Sequence, residues 1–89
     1  MFDKRRHYRN SEYRNALLLL LNTDDAPIGC RVIDSSADGM KLLAGRHVSV
    51  GSMVHVLIGD ESTLAEVRYS APRAMGQCEL GLLKRTQER

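Results

Sequence analysis

The stretch Met53-Val54-His55-Val56-Leu57-Ile58-Gly59-Asp60-Glu61-Ser62-Thr63-Leu64-Ala65-Glu66-Val67-Arg68-Tyr69 decides how the chain is read. Its first six residues are rich in β-branched side chains and nearly alternate, which marks a strand. Gly59-Asp60-Glu61-Ser62 reads as a hairpin-like connection. Beyond it, Leu64, Glu66 and Arg68 alternate with Thr63, Ala65, Val67 and Tyr69, the two-residue period of a second strand.

Working outward, the same signals recur. Upstream, residues 39–43 and 28–33 (Ile-Gly-Cys-Arg-Val-Ile) read as strands. Residues 15–22 are ambiguous by composition, since Leu favours helix. Length decides for strand, because the turn residues Thr23-Asp24-Asp25-Ala26-Pro27 close the apolar run too early for a stable helix. Downstream, residues 70–76 contain Pro72 and Gly76 and read as a loop. Residues 77–83 form the last strand, with Cys78, Leu80 and Leu82 on one face. Residues 84–89 are expected to fray or form one helical turn. Six short strands at roughly 8–12-residue spacing predict an all-β fold, a closed or nearly closed antiparallel barrel.

The bounds set by composition agree. A chain of 89 residues holds one domain. At 43% hydrophobic and 27% charged residues, it is composed to fold, not to remain disordered. The longest apolar run, Ala16 to Leu21, falls far short of the roughly twenty residues a spanning helix needs. The start, Met1-Phe2-Asp3-Lys4-Arg5-Arg6, is charged at once, so no signal peptide and a cytoplasmic location are expected. Cys30 and Cys78 make neither a disulfide framework nor a four-ligand zinc site.

A formal net charge of +2 hides a segregation. Residues 1–14 carry five basic side chains against two acidic ones, and residues 84–89 carry three against one. The body between them has five basic and eight acidic residues. This is a basic N-terminal arm (1–14), a mildly acidic barrel (15–83) and a basic tail (84–89), not the even basic face of a protein for long nucleic acids.

Two constellations carry chemistry. Arg5 and Arg9 form RxxxR within Arg5-Arg6-His7-Tyr8-Arg9. Alone, this is also a solvated basic start to the chain. Its chemical promise is that two guanidiniums on one arm can close over one ligand, gripping phosphate bidentately, reading the O6/N7 edge of guanine, or stacking on a base. Asp34-Ser35-Ser36-Ala37-Asp38-Gly39 fits DxSxxG. Alone, this is equally a β-turn, with Asp and Ser bonding local backbone and Gly39 at positive φ. As a site, Asp34 would accept from guanine N1–H and N2–H₂, Ser36 would offer its hydroxyl, and Gly39 would let a ligand approach the backbone.

RxxxR at the start, two strands, then DxSxxG, all within a six-stranded barrel pattern, resembles the PilZ domain family, with Gly81 in Glu79-Leu80-Gly81-Leu82 resembling the glycine of that family's closing strand. The resemblance implies a six-stranded Greek-key barrel with a flexible arginine arm. It also implies a bacterial receptor for the second messenger cyclic di-GMP, acting in motility or biofilm regulation. Arg5 and Arg9 would bind guanine edges and phosphates, Asp34 and Ser36 would meet a guanine and its phosphate, and Gly39 would keep the turn unobstructed. Lys4 lies where family members differ in taking one or two stacked nucleotides, and Arg6 sits within the motif and could assist its neighbours. Arg31 and Arg68 could extend the site electrostatically. The resemblance implies no cofactor besides the nucleotide ligand. With no fused output domain in view, signalling is expected through a partner protein.

The alternative is a PilZ-like barrel that binds no ligand and works by protein contact, related to type IV pili or motility. An RNA or single-stranded DNA binder would need aromatic platforms on its strands, and Tyr69 is the only candidate beyond the first strand. No nucleophile–base pair, metal set or phosphate loop is present in the sequence, so no enzymatic activity and no membrane insertion are expected.

Overall fold

A computed structural model describes residues 14–85. Six strands account for most of them: β1 (Arg14–Leu20), β2 (Ile28–Ser35), β3 (Gly39–Ala44), β4 (Met53–Ile58), β5 (Glu61–Pro72) and β6 (Cys78–Lys84). They pair antiparallel throughout and close into a barrel in the order β1-β2-β3-β6-β5-β4. Because β3 neighbours β6 and β4 neighbours β1, the link from β3 to β4 must cross one end of the barrel, which makes the topology a Greek key. The all-β barrel expected from the sequence is therefore the fold found. Among the described residues, no helix is long and apolar enough to cross a membrane.

Alternation sets the core. Leu18, Leu42, Leu80, Val54, Val56 and Val67 point inward and are fully buried. Cys78, Leu80 and Leu82 share the inner face of β6, as their spacing predicts. In β1 the run of leucines hides the alternation that the strand imposes: Ala16 and Leu18 are buried while Leu17 is 45% exposed. Val48, on the crossing link of residues 45–52, plugs the core at 1% exposure. The link is tied to β5 by Gly51 N–H donating to the Val67 carbonyl at 2.7 Å and Val67 N–H donating to the Ser52 carbonyl at 2.9 Å.

The register divides the barrel into two ends. The β1–β2 loop, the crossing link and the β5–β6 loop lie at one end. The start of β1, the tight turns 36–38 and 59–60, and the end of β6 lie at the other. Several boundaries differ from the sequence reading: β1 takes in Arg14, expected in the arm, and ends at Leu20, β3 runs to Ala44 and β6 starts at Cys78, and four further differences bear on the site. β2 runs on to Ser35, so Asp34 is a strand residue and the turn is shorter than DxSxxG. Glu61 and Ser62, expected in the connection, already belong to β5. β5 also continues through Ser70, Ala71 and Pro72, which were expected in a loop. Proline is accepted there because it occupies the last pair of the ladder, opposite Cys78. Lys84 belongs to β6 rather than to a frayed tail, and Arg85 N–H donates to the Leu64 carbonyl at 2.8 Å.

Candidate functional site

Four adjacent strands, β2, β3, β6 and β5, carry an open depression of about 490 Å³ on the outer wall near the second end. Its floor is built from glycines. A Cβ on Gly39 would lie 2.9 Å from the Leu82 carbonyl, and one on Gly81 would overlap the Tyr69 ring, which lies across β6. Gly39 is thus required for close approach of β3 to β6 and not for a positive φ, which it does not adopt. That corrects the conformational role expected for it.

Two β-bulges flank this floor. The β2–β3 register shifts between Val32 and Asp34, and the β5–β6 register shifts between Val67 and Tyr69. Each extra residue bends its strand and re-aims the side chains beside it. Asp34 is thereby set on one bank of the depression, with Arg68 and Tyr69 on the other and Lys41 between them. The Asp34 carboxylate, the Lys41 ammonium and the Arg68 guanidinium have no hydrogen-bond or ion-pair partner among the described residues. Among the described residues, the depression therefore offers an acceptor opposite two cations that make no hydrogen bond.

The turn beneath Asp34 is locked from both sides. Ser36 N–H donates to the Gly39 carbonyl at 2.9 Å, and Gly39 N–H donates to Ser36 Oγ at 3.2 Å. The Ser36 hydroxyl reaches the Gly39 carbonyl only at 3.5 Å, a weak bond whose proton is available to a better acceptor. From β6, Lys84 Nζ donates to the Ser36 carbonyl at 2.6 Å and lies 3.5 Å from Ser35 Oγ.

On the far bank, the Tyr69 hydroxyl donates to Glu79 Oε2 at 2.6 Å, and Arg73 donates to Glu79 Oε1 through Nε at 3.2 Å and Nη2 at 2.7 Å. The Tyr69 hydroxyl bond, then Arg73, holds the Glu79 carboxyl below its ordinary range. The same bond to Glu79 pushes the Tyr69 phenol up. Tyr69, 38% exposed, is thus a ring pinned at both its face and its hydroxyl.

Of the residues singled out in the sequence, Asp34, Ser36, Gly39 and Arg68 line the depression. Arg31 faces outward on β2 but does not line it. Lys4, Arg5, Arg6 and Arg9 lie outside the described residues. Lys41, Ser35 and Lys84 are contributors that the sequence reading missed. Only the pairing of β3 with β6 brings Lys84 to the turn, and no local spacing announces that pairing. Cys30 and Cys78 are free thiols. Burial pushes the Cys30 thiol up to about 11. No group of three or more His, Cys, Asp or Glu able to hold a metal is found among the described residues.

The fold and site define a small Greek-key barrel with a glycine-floored, charge-lined depression on its wall. No model of a protein family matches the chain, and no curated protein matches it.

Proposed function

We propose that this protein is a receptor for cyclic di-GMP that passes the binding event to a partner protein, as the resemblance to PilZ domains implies. The observation that carries the reading is the set of groups around one depression: Asp34 to accept from a guanine edge and Lys41 and Arg68 to meet phosphates, none with a hydrogen-bond partner among the described residues, beside the held Tyr69 ring, whose outward side is a face for a base. The volume of about 490 Å³ falls in the range of small-molecule sites, roughly 300–1,000 Å³.

Chain entry supports the same reading. β1 begins with Arg14 opposite Val32, two residues before Asp34. Arg9 lies five positions before Arg14, a reach of at most about 17 Å. That spans about three strands at roughly 4.8 Å each, so Arg9 can come over the depression. Ser36 serves the turn first and turns its hydroxyl proton to phosphate when one is present. Two arginines and charge-assisted phosphate contacts suffice for micromolar affinity, about −8 kcal/mol.

Isothermal titration with cyclic di-GMP tests the proposal on the full chain and on Arg9→Ala and Asp34→Asn variants. Saturable micromolar binding, lost in Arg9→Ala and weakened at least about tenfold in Asp34→Asn, is the expected result. The melting temperature of Arg9→Ala stays within a degree or two of the parent, roughly the effect of a surface substitution. Absence of heat and of amide shifts at tens of micromolar nucleotide, on the order of the expected dissociation constant, overturns the receptor reading. The protein-contact alternative then takes its place.

A further inference from the structure

Of the three glycines that lie within strands among the described residues, Gly39 and Gly81 are required by close neighbours and Gly29 is not. A Cβ on Gly29 would meet open space, and its φ is not positive. Glycine weakens a strand by freeing its backbone and offering no side chain to pack, so an interior glycine marks a place where another surface comes close. Gly29 faces outward on β2, and its partner across the β1–β2 ladder is Leu17. Leu17 is 45% exposed, and among the described residues it is the one aliphatic side chain on a strand to stand so far out. An apolar knob is thus set directly beside a notch. The row continues in the same sense. Beyond Leu17 lies Leu57, its half-buried partner on β4. Beyond Gly29, Gly45 follows Ala44, the β3 partner of Cys30, and a Cβ there also meets open space. Across adjoining strands the outer wall reads two glycines and then two leucines.

Such a row fits itself. A twofold axis running between β1 and β2, along the strands, sets Leu17 of one protomer over Gly29 of its partner and Leu57 over Gly45, and the same again in reverse. We infer that this row is the contact of a symmetric homodimer, each copy seating its leucines in the other's glycine notch. A second copy fits better than an unlike partner because one row supplies both halves of the match. The row carries no acidic or basic side chain, so neither protomer buries a charge. The barrel wall is convex, so a contact centred on one row falls below the roughly 800 Å² per partner of a standard interface, and the dimer is weak. No residue of the Asp34 depression belongs to the row, and the dimer does not depend on the nucleotide proposed there.

The test follows the rotational correlation time and amide shifts of the full chain from about 10 μM to about 2 mM, bracketing the midpoint of about 0.1–1 mM that suits so small a contact. The amides of Leu17, Gly29, Gly45 and Leu57 shift together and saturably, and the correlation time approaches about twice the monomer value. In a mixture of isotope-labelled and unlabelled chains, filtered NOEs connect the Leu17 methyls of one protomer with Gly29 of its partner. Gly29→Val fills the notch and raises the midpoint at least about tenfold. Its melting temperature, read on the dilute monomer, holds or rises, because the new side chain meets no neighbour in its own chain and suits a strand. Leu17→Thr removes the knob and weakens association equally, whereas Asp34→Asn leaves it unchanged. A correlation time that stays flat up to about 2 mM overturns the inference. So does association that survives both substitutions, or concentration-dependent shifts confined to other residues.

Discussion

At Gly81 a single methyl group would occupy the space of the Tyr69 ring, so the two residues act as one unit. Gly81→Ala drives the ring off β6 and breaks its bond to Glu79. The expected cost is about 1–3 kcal/mol, read as a lower denaturation midpoint. In a Tyr69→Ala background the same substitution has little left to displace, so the double-mutant cycle is strongly non-additive. Additive effects would show that the ring tolerates the methyl group. The same hydrogen bond has a pH signature. Glu79 is held below the usual glutamate range, so its contribution is present above that range and is lost as pH falls through its lowered pKa. Tyr69 is pushed above the usual tyrosine range, so its contribution is present below pH 10.0 and is lost as pH rises through its raised value. Cys30, raised from 9.0 to about 11, adds a loss across that interval. Melting temperatures measured from pH 3 to 11 should fall at both ends, on the alkaline side from about pH 9.0 upward. Tyr69→Phe removes part of each limb, and Cys30→Ala removes part of the alkaline limb alone.

At the scale of elements, the strand that matters most for the site is β6, whose last residue holds a turn made by two other strands. Lys84→Met removes the bond to the Ser36 carbonyl, leaving that carbonyl exposed to solvent rather than orphaned in the core. A loss of about 1 kcal/mol follows, with faster amide exchange at Ser36 and Gly39 than elsewhere in β3. Uniform exchange across β3 would count against a local role. This bond also explains what the sequence could and could not convey. Alternation in β4 and β5 made the hairpin legible, and the turn residues after Asn22 correctly overrode the helical preference of the leucines in β1. The Asp34, Ser36 and Gly39 positions were legible because a turn is local chemistry. The two bulges were not, since a bulge is a property of register between strands and register is set by partners. Gly81 and Lys84 join the site only through the β3–β6 pairing, between strands separated in sequence by the whole β4–β5 hairpin, whereas Lys41 faces Asp34 across the β2–β3 hairpin and is placed there by the bulge. Pro72 misled because a strand breaker is harmless at the last rung of a ladder.

For the whole molecule, the decisive step is closure. The β2–β3, β4–β5 and β5–β6 hairpins are joined by short connections and can form locally, whereas β1–β4 and β3–β6 pair only when distant segments meet. Such non-local pairing predicts refolding in the millisecond-to-second range, slower than a helical chain of this length. The crossing link of residues 45–52 docks across an end that exists only once those pairs are made. Val48, its buried residue, therefore contributes to the native state and not to the step that limits folding. Val48→Ala should cost about 2 kcal/mol, from lost transfer energy and the cavity left behind. Nearly all of that loss should appear as faster unfolding, with the folding limb of the chevron unmoved. Leu42→Ala, inside the β2–β3–β6 sheet, costs about 2–5 kcal/mol and slows folding as well, because β3 must pair on both sides before the barrel closes. A slowed folding limb in Val48→Ala would mean that the link docks before closure. The crossing would then guide the pairing of β3 with β6, and so the assembly of the depression those strands carry.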